Sequence, residues 1–123
     1  MAAEQLGKCV QDEVIELLNE YRVLKVQQKN KTEREVAGVI DLFPTLSQDE
    51  ESEKRSELKF RQIERALQEG LDTIERKIIE EKYLSSVETN DIDIFIGLGI
   101  KRWKYYKKKN AAITNIAKAL GII

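Results

Sequence analysis

Apolar side chains at Val10, Val14, Leu17, Tyr21 and Leu24 are separated by four, three, four and three positions. That spacing returns to one face of an α-helix. It cannot line one face of a strand, where every second residue shares a side. Phe60, Ile63 and Leu67 recur at helical intervals further along, and Ile74, Ile78, Ile79 and Tyr83 are expected on one side of a later helix. Few runs alternate with the period of two that a half-buried strand needs. One proline and six glycines in 123 residues leave little to interrupt helices. The expected fold class is all-α.

The first helix is expected from about Val10 to Lys31. Its apolar stripe is narrow and covers two heptads, so it must pack on another helix of the chain or on a second copy. Residues 1–47 are accordingly read as an N-terminal amphipathic helix and connector that pack or dimerise, and a homodimer is expected. Thr32 to Gln48 is the least regular stretch. Phe43-Pro44 ends whatever precedes it, because a residue before proline avoids the α region. Ser47 is a candidate cap for the next helix, with Glu50 three positions on. Residues 48–123 form a second, helical domain. Its first segment is acidic up to about Ser56, and Gly70 is a candidate C-cap. Asp72 with Glu75 restarts a helix that runs to about Leu84, and Ser85-Ser86 begins a polar linker.

Composition removes whole classes of chemistry. There is no histidine and only one cysteine, Cys9. Ser-His-Asp and Cys-His catalysis, histidine-containing zinc sites, cysteine-only zinc sites and an internal disulfide are excluded. No Gly-rich nucleotide loop is present, since Gly97-Leu98-Gly99 is a lone Gly-x-Gly better read as a turn. Asp49-Glu50-Glu51 and the pair Asp91 and Asp93 read as solvated helix starts rather than cation sites. Neither an enzyme nor a cofactor is expected. The chain shows no signal-peptide pattern and no apolar run of about 20 residues, so no membrane contact and a cytoplasmic location are expected.

Charge is divided along the chain. The last thirty residues hold seven cations, Lys101, Arg102, Lys104, Lys107, Lys108, Lys109 and Lys118, and no anion. The first 93 hold the other 14 Lys/Arg against all 22 Asp/Glu. A basic helix on an acidic body is the footprint of a polyanion-binding protein. Asn90 or Asp91 opens a short helix containing Ile92, Ile94, Phe95, Ile96 and Leu98. Gly99 and Ile100 follow, and then the basic helix. Helix, glycine turn, apolar residue and second helix make a helix-turn-helix, here at about 72–120. Tyr105, Ala112, Ile113 and Ile116 are expected to face the other helices. Lys101, Arg102, Trp103, Lys104, Tyr106, Lys107 and Lys108 are the candidate DNA-binding residues. Arg102 and Lys104 suit guanine edges, and Lys107, Lys108 and Lys109 suit phosphates. Tyr106 is read as a surface residue within reach of a phosphate. Trp103 has two readings, a core anchor or a contact to DNA or a protein partner.

Ile63-Glu64-Arg65-Ala66-Leu67, Glu75-Arg76-Lys77-Ile78-Ile79, Lys82-Tyr83-Leu84, Leu98-Gly99-Ile100, Tyr105-Tyr106 and Ala117-Lys118-Ala119-Leu120-Gly121-Ile122 together resemble the ArpU family. The opening helix, Glu13 to Lys25, is similar to that family's as well, so the likeness spans nearly the whole chain. These are phage and prophage transcriptional regulators of Gram-positive bacteria. The C-terminal half also resembles sigma-factor region four, with the same Leu-Gly-Ile turn. It departs at Lys101, where a small hydroxyl residue is usual; lysine is a poor N-cap, and a looser or shifted helix start is expected. The resemblance implies a sequence-specific regulator of phage late or lytic genes that binds double-stranded DNA. Two alternatives remain open at this point. One is a sigma-like adaptor whose partner is RNA polymerase or another phage protein. The other is a small terminase subunit that binds packaging-site DNA.

Overall fold

A computed structural model of the chain describes residues 7–46 and 49–123. Five α-helices and no strand occur among the described residues. They are α1 (Lys8–Ala37), α2 (Glu50–Glu69), α3 (Thr73–Ile79), α4 (Asp91–Leu98) and α5 (Arg102–Ala119), and a π-helical turn, Glu80–Leu84, extends α3.

The stripe of α1 is spent inside the chain. Val14, Leu18 and Tyr21 are buried in one cluster with Ile63 and Leu67 of α2, Leu71, Ile79 of α3, and Ala112, Ile113, Ile116 and Ala117 of α5. The Tyr21 and Phe60 rings stack 5.5 Å apart at 10°. Of the two partners open to this stripe, a helix of the same chain or a second copy, its buried side chains meet helices of the same chain.

The first helix also runs further than its apolar pattern. It continues through Val36, which is 85% exposed and so adds nothing to the stripe. What stops it is Gly38, at φ +73°, where the Gly38 and Val39 amides donate to Glu35 O and Arg34 O. A left-handed residue that closes the last carbonyls in this way is the usual helix stop, and glycine takes it without strain. The expected connector shrinks to the residues after Gly38. Lys31 secures this end by ion pairs to Glu53 and Glu57 of α2. Ser47 lies outside the described residues. The cap of α2 is Asp49, whose carboxylate accepts from the Glu51 amide at 3.1 Å.

Gly70 does cap α2, in a right-handed conformation. Asp72 and Glu75 then form the expected capping box, with bonds of 2.7 and 2.9 Å. One contact at this corner had no sequence signal. Arg76 donates to three carbonyls at the end of α2 and just beyond, Leu67 O at 3.1 Å, Gln68 O at 2.7 Å and Leu71 O at 3.3 Å. Carbonyls at a helix end lack intrahelical partners, and a guanidinium satisfies several at once.

Ile74, Ile78, Ile79 and Tyr83 do not share one side as expected. Ile79 and Tyr83 join the main cluster, whereas Ile78 and Ile74 belong to a second cluster with Ile94, Phe95, Leu98, Ile100 and Tyr105. Helix α3 is thus a wedge between two cores. Helix α5 spans both, with Tyr105 in the second and its C-terminal half in the first.

Candidate nucleic-acid interface

Helix α4 is capped by Asn90, whose side chain accepts from the Asp93 amide at 2.8 Å. It continues through Gly97 and ends at Gly99, at φ +68°, where the Gly99 and Ile100 amides bond back to Ile96 O and Phe95 O at 3.1 Å each. Ile100 turns into the second core, and Lys101, in extended conformation, is the N-cap of α5. This is the expected helix-turn-helix. The start of α5 is not shifted, but its cap is bare. Lys101 makes no side-chain cap bond, and no acidic residue lies in the first turn.

Burial sorts the candidate residues. Tyr105 is fully buried, and helix geometry puts Trp103 and Lys107 on the side of α5 most nearly opposite it. Trp103 is 64% exposed, so its core reading is overturned. Lys101, Arg102 and Lys107 are exposed, and Lys104 is half-buried. None of these four forms an ion pair among the described residues.

Three other candidates turn inward. Lys108 pairs with Asp72 Oδ2 at 2.7 Å, which ties α5 to the cap of α3 and raises the lysine's pKa. Lys109 pairs with Asp91 Oδ1 at 3.2 Å. Tyr106 is half-buried, with its hydroxyl 3.5 Å from Asp91 Oδ2 and the Arg102 guanidinium 5.8 Å from its ring centre. The expected phosphate contacts at Tyr106, Lys108 and Lys109 are thus engaged with the chain's own carboxylates.

Asp91 is the hub of this network. It accepts from the Tyr105 hydroxyl and faces Lys109 and, at 3.6 Å, Lys82 of the π-helical turn. Burial pushes its carboxyl pKa up, but the Tyr105 bond and the two lysines outweigh burial and hold it below the usual range. Burial, and then Asp91, push the neighbouring Tyr83 up to about 12.

No family model, curated protein or solved structure matches this chain.

Two features of the site have no charge signal in the sequence. Ile92 and Ile96 of α4 are 57% and 66% exposed, so only Ile94 of that helix is buried. Their spacing of four puts them on one face of α4. No described helix is long and apolar enough to cross a membrane, and no group of three or more His, Cys, Asp or Glu among the described residues is placed to hold a metal ion. Cys9 is a free, exposed cysteine.

Proposed function

We propose that the chain binds double-stranded DNA with the start of α5 in the major groove, and that it is a sequence-specific regulator of phage late or lytic genes in a bacterial host. One observation carries the DNA reading. Lys101, Arg102, Lys104 and Lys107 sit without carboxylate partners at a helix start that has no cap. Cations there oppose the helix dipole and destabilise the free protein, and a phosphate relieves both the charge and the unbonded amides. A recognition helix also reads base edges with its N-terminal residues. The regulatory role rests on the resemblance of the Leu98-Gly99-Ile100 turn and its flanking words to the ArpU family and to sigma-factor region four.

The test is binding to the upstream region of the chain's own late operon against random DNA, across a salt series. The reading expects a strong site preference that Arg102→Ala or Lys104→Ala removes. Lys107→Ala is expected to lower affinity on all sequences and to reduce the salt slope by about 1. Binding with no preference at any salt would leave the DNA reading without its regulatory half.

The sigma-like adaptor is the second reading, and the exposed Ile92, Ile96 and Trp103 favour it. Large apolar side chains beside a recognition helix suit a protein partner such as RNA polymerase. Polymerase retention that survives charge reversal of Arg102 and Lys104 would select it.

A further inference from the structure

A groove of about 840 Å³ runs along α1 and is closed by Leu84 and Ser86, ahead of α4. Val23, Val26 and Leu84 supply its apolar surface, and Arg22, Lys25, Lys29 and Arg34 line it. None of those four cations has an ion pair among the described residues. Val23 and Val26 are exposed, at 68% and 57%. The described residues leave this groove unfilled.

The segment between α1 and α2 has the opposite character. Ile40, Leu42, Phe43 and Leu46 are 82%, 59%, 69% and 93% exposed. Asp41 lies among them, and Glu50 follows at the start of α2, neither with a cationic partner among the described residues. A run of large apolar side chains this exposed is unusual for a protein surface with no partner.

We propose that the connector of one chain docks in the α1 groove of a second copy, and reciprocally, to form a two-fold dimer. Apolar connector side chains meet Val23, Val26 and Leu84, and Asp41 and Glu50 meet Lys25, Lys29 and Arg34. A two-fold interface requires that one surface carry both halves of the match, and the groove reaches Arg34, close to Gly38, from which the connector leaves α1. The reach is sufficient. Arg34 back to Val26 is about 12 Å of helix, and eight extended residues such as Val39 to Leu46 span up to about 28 Å. This dimer differs from one through the Val10–Leu24 stripe, which is buried within the chain. It is also independent of the DNA reading.

Sedimentation equilibrium of the full chain, from micromolar to submillimolar concentration and without DNA, tests it. Wild type is expected at twice the 14.2 kDa of one chain. Lys25→Glu/Lys29→Glu and Asp41→Lys/Glu50→Lys are each expected to be monomeric, with unchanged circular dichroism. Their equimolar mixture is expected to recover a dimer, because in the mixed pair both contacts again join opposite charges. Phe43→Ser is expected to raise the dimer Kd at least about tenfold. A monomeric wild type, a dimer that both charge reversals leave intact, or a mixture that stays monomeric would overturn the proposal. So would a monomeric wild type whose Lys25→Glu/Lys29→Glu variant alone loses DNA affinity, which would make the groove a nucleic-acid surface.

Discussion

The buried Tyr105 of the basic helix donates its hydroxyl proton to Asp91, the first residue of the preceding helix. That bond ties the start of α4 to α5, and Lys82 and Lys109 pair with the same carboxylate. Asp91→Ala would leave the Tyr105 hydroxyl without its carboxylate acceptor and two lysines without a counter-charge. Urea unfolding should show a loss of about 2 kcal/mol. Asp91→Asn, which keeps an acceptor, should lose less.

The same carboxylate predicts the acid limb of stability. Asp91 and Asp72 both have folded pKa values below the ordinary aspartate range, against the pull of burial. At Asp91 the Tyr105 bond and the two lysines outweigh it, and at Asp72 the Glu75 amide and Lys108 do. Groups lowered on folding contribute stability that is present above their unfolded pKa, about 3.9, and is lost as pH falls through the folded value. The urea midpoint should therefore hold as pH drops to about 4 and decline below it. In Asp91→Asn that decline should be shallower.

Arg76 holds the end of α2 to α3 through three carbonyls. Arg76→Met keeps most of the side chain's bulk and removes every donor, so thermal unfolding should report a loss of about 2 to 3 kcal/mol. Arg76→Lys should recover little of it, because an ammonium cannot present the planar fork. An Arg76→Lys variant as stable as wild type would show that charge alone accounts for the contact.

Lys101 should trade stability for binding. Lys101→Ser supplies the missing cap and removes a cation from the positive end of α5, so the fold should gain about 1 kcal/mol. DNA affinity should fall in the same variant. If both quantities rise together, Lys101 is not part of the anion-binding surface.

Trp103 is the only tryptophan and is 64% exposed. Trp103→Ala should leave the unfolding free energy within about 0.5 kcal/mol of wild type, as for other surface changes. In the wild-type chain its fluorescence should change on DNA addition and titrate with binding. A Trp103→Ala variant that loses several kcal/mol would return this side chain to the core.

Much of the architecture was legible because helix patterns are local. The three-four spacing of Val10 to Leu24, the Asp72-Glu75 box, Asn90 before Asp91 and the Leu98-Gly99-Ile100 turn each involve residues within a few positions of one another. The extent of α1 was not legible from its stripe. The turns beyond Lys31 carry no buried side chain, and Lys31 itself is tied to α2 by ion pairs 22 and 26 residues away in sequence. The division of Ile78 and Ile79 between two cores is hidden for a similar reason. Successive helical residues diverge by about 100°, and whether that matters depends on there being a second core to receive one of them.

The candidate site divides in the same way. Composition and order along the chain settle that seven cations gather near the C-terminus, that no histidine chemistry is available, and that a glycine turn precedes the basic helix. Which of those cations stay unpaired follows from where distant carboxylates come to rest. Asp72 reaches Lys108 across thirty-six residues, and Asp91 reaches Lys109 across eighteen. Trp103 faces out because the buried Tyr105 sets the rotation of α5, and the α1 stripe is closed to a second copy because α2 and α5 fold over it. Local spacing specifies a helix and its ends, whereas pairing and burial are properties of neighbours that only the packed chain brings together.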